Sequence, residues 1–548
     1  MKNNPYRRRI LLLLFLMMVS FAIFIVRLAS IQLVEGEELA RWAVRQRSQG
    51  IVLGHDRGDI QDRNENSLLN GEVKEALVAF PSLYRGNEDY LHNSVPYKHV
   101  LNRIEHPPHD GFPFIVDHGE PGTFSFIDDN YLPGLVRAEK VRRYGEEVIA
   151  PHVVGHIQSS DGIGRLGLEL HFEEYLSGSN PPVLAAYVDG KERLVDGLGI
   201  KVREGGKESR GAYNVVTTLD KQLQKYVQNL LTQNMQQGAV VVMEPGTGDI
   251  LAMASTPHYH PGKVEDYLNS MEGSFHNRAI LPYHPGSIFK ILIAAAALEE
   301  DIADIHREFT CTGLLELNEG QVRCSHFHPE ENVNLTEAFA YSCNTVFIKL
   351  GLELGAATLE EYASRMGLGK NCGLPLNEKE GFIPGEEQII NEAGMANTAL
   401  GQEMVEVTPL QVARMMAVIA RGGEMIMPRI VDRTTDNQGR VVENFPPETG
   451  RRVLSDSTVN KLKYLLHAVT ESGTGRNAAN PEFMVGGKTG TAQSGRSTSE
   501  DPEEEIYYHW FAGLSPLENT RAVIVVFSEG ESALLPAEIF QRISTFRQ

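Results

Sequence analysis

The sequence predicts a mixed α/β protein of the α+β type that is anchored by one N-terminal membrane helix. An apolar run lies near the N-terminus, and the roughly 510 residues after it are more than one core usually organises, so two or three domains are expected. Residues 35–205 contain short strand-like runs with many Gly, Pro and His residues, whereas the region from residue 206 onward contains helical stretches such as TTLDKQLQKYVQNLLTQNM and a strand-like stretch, FMVGGKTGTAQ.

The apolar run extends from Ile10 to Val26 and consists of 17 uncharged, mostly apolar residues. With the half-apolar stretch to Val34 it can span the roughly 30 Å of a bilayer core if Arg27 snorkels to the interface. Three arginines at positions 7–9 predict that the short N-terminus stays in the cytoplasm and that the rest faces outside. A cleaved signal peptide is the alternative, but Arg27 stands where cleavage would fall, which favours an uncleaved anchor.

The region after the anchor divides at a polar linker, GKESRGAYN, over residues 206–214. The part before the linker has no catalytic constellation and is interpreted as a pedestal. After the linker, TTLDKQLQKYVQNLLTQNM predicts a capped helix that begins the catalytic domain. The predicted order is a cytoplasmic tail, a transmembrane anchor, a non-catalytic pedestal and a catalytic domain, over residues 1–9, 10–34, 35–205 and 206–548.

The charge of the chain excludes one broad class of function. Its formal net charge is −21, and nucleic-acid binding needs clustered Lys and Arg for phosphate contacts. The stretches GEPGTFS and GGKTG lack the spacing of a phosphate-binding loop, which disfavours nucleotide hydrolysis. We therefore expect neither nucleic acid nor a nucleotide as partner, and no cofactor.

Three short motifs carry the chemistry, and each pattern occurs once in the chain. They are S-x-x-K at Ser287 to Lys290, S-x-N at Ser342 to Asn344 and K-T-G at Lys488 to Gly490, separated by 55 and 146 residues between first positions. Each motif alone is weak evidence for a catalytic site, since a serine is often a helix cap and a lysine is often a solvated charge. Together, in this order, they indicate a serine acyl-transfer site.

The first two motifs supply a nucleophile and its proton-transfer groups. The Ala-rich run after Ser287 predicts a buried helix with Ser287 in its first turn, so that Lys290 can reach the serine hydroxyl. A lysine works as a base near neutral pH only if its pKa falls to about 7, which costs roughly 4.6 kcal/mol. We expect burial, the helix N-terminus and the charge of Lys488 to lower the pKa of Lys290. Ser342 could pass a proton to the leaving amine, and Asn344 would face the same cleft.

The third motif lies in FMVGGKTGTAQ, which predicts a strand. Its glycines, Gly490 among them, let a substrate backbone approach and pair along the strand edge. Lys488 would attract a substrate carboxylate, with the Thr489 and Thr491 hydroxyls as donors. The backbone N–H groups of Ser287 and Thr491 are the candidates for an oxyanion hole.

On these motifs the chain resembles the class B penicillin-binding proteins, monofunctional peptidoglycan D,D-transpeptidases. Further segments resemble the family in the catalytic region and upstream of it: 238–257, 277–279, 401–402, 408–411, 509–516, 521–530 and the closing PAEIFQRISTF, with RGDIQDRN (57–64) and GRLGLELHFEEYLSG (164–178) upstream. His260 and His284 depart from the family pattern. The absence of a glycosyltransferase-like module argues against the bifunctional class A relatives.

The resemblance implies a β-lactamase-like transpeptidase domain, with a five-stranded antiparallel sheet between helices, on an elongated β-rich pedestal. It implies peptidoglycan stem peptides as substrates, acylation of Ser287 by β-lactams, and a polytopic glycan polymerase as membrane partner. Two other readings stay open: hydrolysis by a D,D-carboxypeptidase or β-lactamase, and a penicillin sensor or scaffold. A sensor would need a cytoplasmic signalling domain, for which nine residues are too few.

Four cysteines leave three possibilities open. Cys311 and Cys324 flank a stretch with hairpin-like alternation and could form a disulfide, since exported cysteines tend to oxidise. Free thiols are the second possibility. Metal binding is the third, because His326 and His328 follow Cys324, but we assign no metal site from the sequence. We expect Cys343 to be packed rather than reactive, and Cys372 gives no signal.

Overall fold

The structure of the protein is a computed structural model that describes residues 5–35, 48–84, 98–107, 112–117, 132, 134–159, 161–178, 181–188, 194, 199–203, 211–270, 273–318, 320–324, 332–497 and 505–546. The chain forms two compact units that alternate along the sequence. The first unit comprises residues 1–55, 73–142 and 180–209, and the second comprises residues 56–72, 143–179 and 210–548.

The first unit begins with the apolar helix Pro5–Ala29, which continues as a π-helical turn over Ser30–Val34. The stretch Leu12–Gln32 has a mean hydropathy of 2.6 and no buried residues, so it is long and apolar enough to cross a membrane. Arg27 pairs with Glu35 across the end of this stretch at 2.6 Å. The N-terminal apolar helix expected from the sequence is thereby confirmed.

The remainder of the first unit is rich in β-structure. One three-stranded antiparallel sheet contains Ser48–Val52, Val183–Tyr187 and Ile200–Arg203 in that order. A second three-stranded sheet has Glu72–Ala79 between Phe114–Asp117 and Leu135–Arg142. The short helices of this unit are Pro81–Tyr84 and Lys98–Glu105.

The second unit is organised around a five-stranded antiparallel sheet, as the family resemblance implied. Its strands are β1 (Met235–Met243), β2 (Ile250–Thr256), β3 (Gly486–Ser497), β4 (Glu505–Ser515) and β5 (Ala522–Ser532), and their spatial order is β2-β1-β5-β4-β3. Strand β3, which carries the K-T-G motif, therefore pairs with β4 and lies at the edge of the sheet. An edge strand can add one further extended chain.

Alternation along the strands separates two apolar cores, one on each face of the sheet. Val240 and Val242 of β1 pack with the helices Lys221–Asn234 and Pro536–Ser544. Their neighbours Ala239 and Val241 belong to the larger core on the other face. Because successive side chains of a strand point to opposite faces, a strand covered on both sides is apolar at every position.

The larger core contains the helices that carry the first two motifs. The helix Pro409–Ala420 begins with a capping box between Thr408 and Gln411, and Asp220 caps the helix Lys221–Asn234 as the sequence predicted. The other helices of this unit are Pro151–Val154, Gly167–His171, Glu173–Leu176, Lys290–Glu299, Leu335–Ala340, Asn344–Leu354, Ala356–Arg365, Glu392–Ala399 and Asp456–Glu471, and its 3₁₀ turns are Val264–Tyr267, Arg278–Ile280, Gly286–Phe289 and Arg476–Ala478.

Smaller sheets complete the second unit. A four-stranded sheet has the order Val441–Asn444, Val431–Thr435, Asn214–Thr217, Ile60–Gln61. The two-stranded pairs are Glu308–Thr310 with Asn332–Asn334, Leu314–Leu317 with Gly320–Arg323, Glu424–Ile426 with Thr449–Arg452, and His156–Ile157 with Gly164–Leu166. The hairpin at Leu314–Arg323 matches the alternation seen in the sequence.

Two upstream segments belong to the second unit, and a buried carboxylate joins them. Glu169 is fully buried and accepts hydrogen bonds from Arg57 at 2.7 Å, Arg143 at 2.5 Å and Tyr144 at 2.8 Å. These partners come from both 56–72 and 143–179, the segments that contain the two upstream motifs. The compact units thus interleave along the chain, whereas the sequence predicted contiguous domains that meet at residues 205 and 206. That boundary stays a prediction.

Candidate active site

Ser287 lies in the 3₁₀ turn Gly286–Phe289, and the helix Lys290–Glu299 follows directly. The sequence predicted the serine in the first turn of this helix, and the structure places it one tighter turn ahead. Gly286 has a φ of +54°, and a Cβ at that position would lie 2.3 Å from the Thr491 carbonyl oxygen. Glycine is therefore required there, because it alone lets the turn adopt this conformation against strand β3.

The buried Lys290 amine connects the first two motifs. Its Nζ donates to the Ser342 carbonyl oxygen at 2.8 Å, to Ser342 Oγ at 3.2 Å and to Asn344 Oδ1 at 2.7 Å. Ser342 Oγ in turn lies 2.9 Å from Ser287 Oγ. The sequence predicted that the amine would reach the nucleophile directly, and the hydrogen bonds of the described residues connect the two through the Ser342 hydroxyl.

Ser342 occupies a strained turn between two helices. The helix Leu335–Ala340 ends where Cys343 N donates to the Ala338 carbonyl at 2.7 Å, and the next helix begins at Asn344. Ser342 has a φ of +58°, a left-handed conformation that costs a non-glycine residue on the order of 1 kcal/mol. This turn points the hydroxyl and carbonyl of Ser342 and the amide of Asn344 toward one amine.

Burial is the main cause of the altered basicity at this site. It lowers the pKa of Lys290 to about 7, and the neighbouring Cys343 and Cys324 act in the opposite direction. Burial and then the charge of Lys290 lower the pKa of Lys488 well below its usual value. From the sequence we expected burial, the helix N-terminus and Lys488 to lower the pKa of Lys290. Burial is the dominant one, and it gives an amine that is partly neutral at neutral pH.

Strand β3 brings the third motif against the nucleophile turn. A Cβ at Gly490 would lie 2.8 Å from the Pro285 carbonyl oxygen and 2.8 Å from Ile288 Cγ1, so the strand and the turn are in close contact. Lys488 is fully buried, and its Nζ donates to the Thr489 carbonyl at 3.1 Å. The predicted residues of all three motifs therefore line one site.

The two threonines of β3 differ in their surroundings. Thr489 is half-buried, and its Oγ1 lies 2.7 Å from Thr474 Oγ1. Thr491 is exposed on the edge strand. Sequence reasoning missed Thr474, because a threonine after a helix end carries no signal that it will meet a strand residue.

Phenylalanine rings flank both buried amines, another feature that the sequence did not indicate. Lys290 Nζ lies 5.6 Å from the centroid of the Phe347 ring, and Lys488 Nζ lies 5.8 Å from that of Phe339. A ring face attracts a cation electrostatically while it excludes water. The two rings therefore help to keep the amines desolvated and still allow each to carry a proton transiently.

The two histidines that depart from the family pattern have structural contacts. His284 Nδ1 donates to the Val405 carbonyl at 2.8 Å, and the His284 carbonyl accepts from Trp510 Nε1 at 3.0 Å. His260 Nε2 donates to the Gly145 carbonyl at 2.9 Å. Each imidazole thus holds a backbone segment in place.

Three of the four cysteines lie next to the site. The sulfur atoms of Cys311, Cys324 and Cys343 are all within 4.8 Å of one another, and those of Cys324 and Cys343 are 3.8 Å apart. Cys343 is fully buried, which confirms that it is packed. His326 and His328, named in the sequence as possible metal ligands, lie outside the described residues.

A serine linked by hydrogen bonds to a buried, weakly basic lysine, beside an open strand edge, defines a serine acyl-transfer enzyme. Residues 238–545, more than half of the chain, match the family described as penicillin binding protein transpeptidase domain. The protein belongs to this penicillin-binding protein transpeptidase family, as a class B member. The apolar helix near its N-terminus is consistent with a single-pass membrane protein.

Individual relatives agree with this assignment. The chain is 28% identical over 96% of its length to the stage V sporulation protein D of Bacillus subtilis, of which it covers 82%. It is 30% identical over 67% of its length to the peptidoglycan D,D-transpeptidase PbpA of Mycolicibacterium smegmatis, of which it covers 75%. The fold is similar to that of penicillin binding protein 3 of Mycobacterium tuberculosis in complex with aztreonam, with a TM-score of 0.65 at 24% identity over 91% of this chain and 95% of that one.

Proposed function

We propose that the protein crosslinks peptidoglycan through an acyl-enzyme on Ser287. The Ser287 oxygen attacks the carbonyl of the penultimate residue in a stem peptide that ends in D-Ala-D-Ala. An ester forms, the peptide bond breaks and D-Ala leaves. The amine of a second stem peptide then takes the acyl group and releases Ser287. The observation that carries this proposal is the hydrogen-bonded path from Ser287 through Ser342 to Lys290, within a transpeptidase domain.

In the proposed acylation step, Lys290 is the general base and Ser342 the relay. Hydroxyl groups can reorient, so distances of 2.9 Å and 3.2 Å allow a proton to pass from Ser287 to Ser342 while Ser342 passes its own to the neutral amine. The reverse transfer would protonate the departing D-Ala amine. Asn344 holds the amine in line through its 2.7 Å contact, which supports a positioning role.

We assign substrate recognition to strand β3. Its edge lets an extended stem peptide pair with the backbone, and Lys488, Thr489 and Thr491 would receive the terminal carboxylate. Gly286 brings the backbone before Ser287 within reach of Thr491. This proximity supports the N–H groups of Ser287 and Thr491 as the oxyanion hole.

The membrane arrangement is part of the proposal. The three arginines before the apolar helix support a cytoplasmic N-terminus and a catalytic unit on the outer face, where peptidoglycan lies. A polytopic glycan polymerase in the same membrane would supply stem peptides, and we propose it as the partner. Site-specific photocrosslinking from positions along Leu12–Gln32 tests this. Adducts restricted to proteins unrelated to glycan synthesis would contradict it.

The decisive test separates transpeptidation from hydrolysis. A transpeptidase should hold its acyl group for minutes, because its natural acceptor is a bound amine rather than water. Full-length protein in detergent is acylated with benzylpenicillin, freed of unbound drug and followed by intact mass spectrometry. We expect a persistent adduct that peptide mapping places on Ser287. Loss of the adduct within seconds would indicate a β-lactamase.

A further inference from the structure

A cluster of three sulfur atoms lies directly beside the proposed catalytic residues. Cys311 follows the strand Glu308–Thr310, Cys324 follows the second strand of the hairpin, and Cys343 precedes the helix Asn344–Leu354. The three residues thus come from separate segments, and their sulfurs all lie within 4.8 Å of one another. The proposed acylation chemistry uses none of the three.

Two hydrogen bonds to backbone carbonyl groups hold these segments together. Cys324 N donates to the Gly313 carbonyl at 2.9 Å, which closes the base of the hairpin beside Cys311. Asn344 Nδ2 donates to the Arg323 carbonyl at 3.2 Å, which joins the neighbours of Cys324 and Cys343. The convergence of the sulfurs is therefore fixed by the fold rather than by side-chain rotation alone.

The spacing fits a tetrahedral metal site. With Zn–S distances near 2.3 Å, two sulfurs on a tetrahedral ion are about 3.8 Å apart. The Cys324 and Cys343 sulfurs are 3.8 Å apart, whereas an S–S bond measures about 2.05 Å. The upper limit of 4.8 Å for the other pairs exceeds the tetrahedral edge by only about 1 Å.

The donor set and its burial suit a thiophilic ion. Thiolates select Zn²⁺ and similar soft or borderline metals over Mg²⁺ and Ca²⁺. Cys311 and Cys343 are buried, and Cys324 is half-buried. Three sulfurs fill three tetrahedral positions and leave the fourth to a non-sulfur ligand.

We propose that Cys311, Cys324 and Cys343 bind one Zn²⁺ ion as a structural site that positions the catalytic residues. Binding converts three thiols to thiolates, so each ion that enters releases three protons to the solvent. Cys343 stands between Ser342 and Asn344, both hydrogen-bonded to Lys290. The ion would therefore hold the strained turn of Ser342 against the hairpin. Metal binding itself does not depend on the proposed function, whereas the positioning role rests on it.

The test uses full-length protein in detergent, reduced, stripped with a chelator and titrated with Co²⁺ as a spectroscopic substitute for Zn²⁺. We expect one ion per chain, a near-ultraviolet sulfur-to-cobalt band, visible bands of a tetrahedral ion, and displacement of Co²⁺ by one equivalent of Zn²⁺. Cys311→Ser and Cys324→Ser should each weaken binding by more than the roughly 10–100-fold that outer-sphere changes cost. Cys372→Ser is the matched control, since Cys372 is buried outside the cluster, and it should bind normally.

Two further measurements complete the test. Zn²⁺ should raise the unfolding temperature of the parent and of Ser287→Ala but not of Cys324→Ser, and metal removal should slow penicillin acylation of the parent. Binding by Ser287→Ala separates the metal site from the acyl-transfer function. No cobalt band in the reduced parent would overturn the proposal. So would a disulfide among the three cysteines, found by peptide mapping of protein purified without reductant.

Discussion

The helical side and the strand side of the site differ in how many hydrogen bonds connect their side chains and in how exposed those side chains are. The helical wall, defined by Ser287, Lys290, Ser342 and Asn344, is linked internally: the Lys290 amine alone donates to three acceptors, and Ser342 reaches the nucleophile. The strand wall, defined by Lys488, Thr489 and Thr491, lies on an edge strand and includes an exposed threonine. The comparison indicates that the wall proposed for bond breaking is connected before substrate arrives, whereas the wall proposed for recognition leaves Thr491 accessible to a ligand.

Removal of the proposed nucleophile, Ser287, should have the largest effect. Ser287→Ala should abolish labelling by a fluorescent penicillin, because no other residue of the helical wall provides an attacking oxygen in that turn. Its unfolding temperature should stay close to that of the parent, since the change deletes one half-buried hydroxyl. In-gel fluorescence and thermal unfolding measure the two effects. Persistent labelling of the variant would place the nucleophile elsewhere.

Replacement of the proposed base, Lys290, should slow acylation almost as severely. Lys290→Arg keeps a cation but provides a guanidinium that cannot accept the proton, so acylation should slow by roughly 10²–10⁴-fold. Lys370→Arg, on an exposed lysine, is the control and should acylate normally. Stopped-flow acylation with a chromogenic cephalosporin gives both rates. Parental rates in Lys290→Arg would mean that the buried amine is not the base.

A change on the strand wall should be milder and should affect affinity. Thr491→Val removes one donor to the ligand carboxylate and should weaken acylation by about 1.5–3 kcal/mol, a factor of roughly 10–150. Thr449→Val, an exposed strand threonine outside the cleft, is the control. The second-order acylation rate constants should differ while the unfolding temperatures do not. Equal rate constants would move the carboxylate site away from Thr491.

The pH dependence should show the smallest change. Because burial lowers the pKa of Lys290 to about 7, its active neutral form is lost below that pH, and acylation should fall about tenfold per unit there. The unfolded lysine binds its proton up to about pH 10.4, so this group's contribution to stability rises with pH from about 7 to 10.4. Lys290→Met should flatten that rise in denaturant unfolding. A rise of equal slope in this variant would exclude Lys290 as its source.

The sequence predicted which residues form the site, but it did not predict all the hydrogen bonds that connect them. The three motifs do meet, and β3 is the edge strand that K-T-G suggested. The relay through Ser342 was not predictable, because it depends on a left-handed turn whose side-chain direction is set by packing between two helices. The cysteines likewise show that local sequence patterns do not reveal tertiary contacts. Local alternation paired Cys311 with Cys324, while Cys343 joins them only through tertiary contacts.

The boundary at residues 205 and 206 stays a prediction, but the link between the two upstream motif segments could not be predicted from the sequence. Motif similarity placed the segments at 57–64 and 164–178 in a separate module, since they lie far upstream of the catalytic residues. In the structure the buried Glu169 of the second segment is hydrogen-bonded to Arg57 of the first, and both segments belong to the same compact unit as residues 210–548. Buried ion pairs between distant segments leave no periodic pattern in a sequence, so no local rule could reveal them.

Gly286 has a consequence for the evolution of drug resistance. A side chain there would collide with the Thr491 carbonyl and adopt an unfavourable backbone, and one at Gly490 would strike the Pro285 carbonyl. Selection for escape from β-lactams therefore has almost no viable mutations where the turn meets the strand. We expect escape instead at exposed positions of β3, where a substitution leaves the contact between the turn and the strand intact.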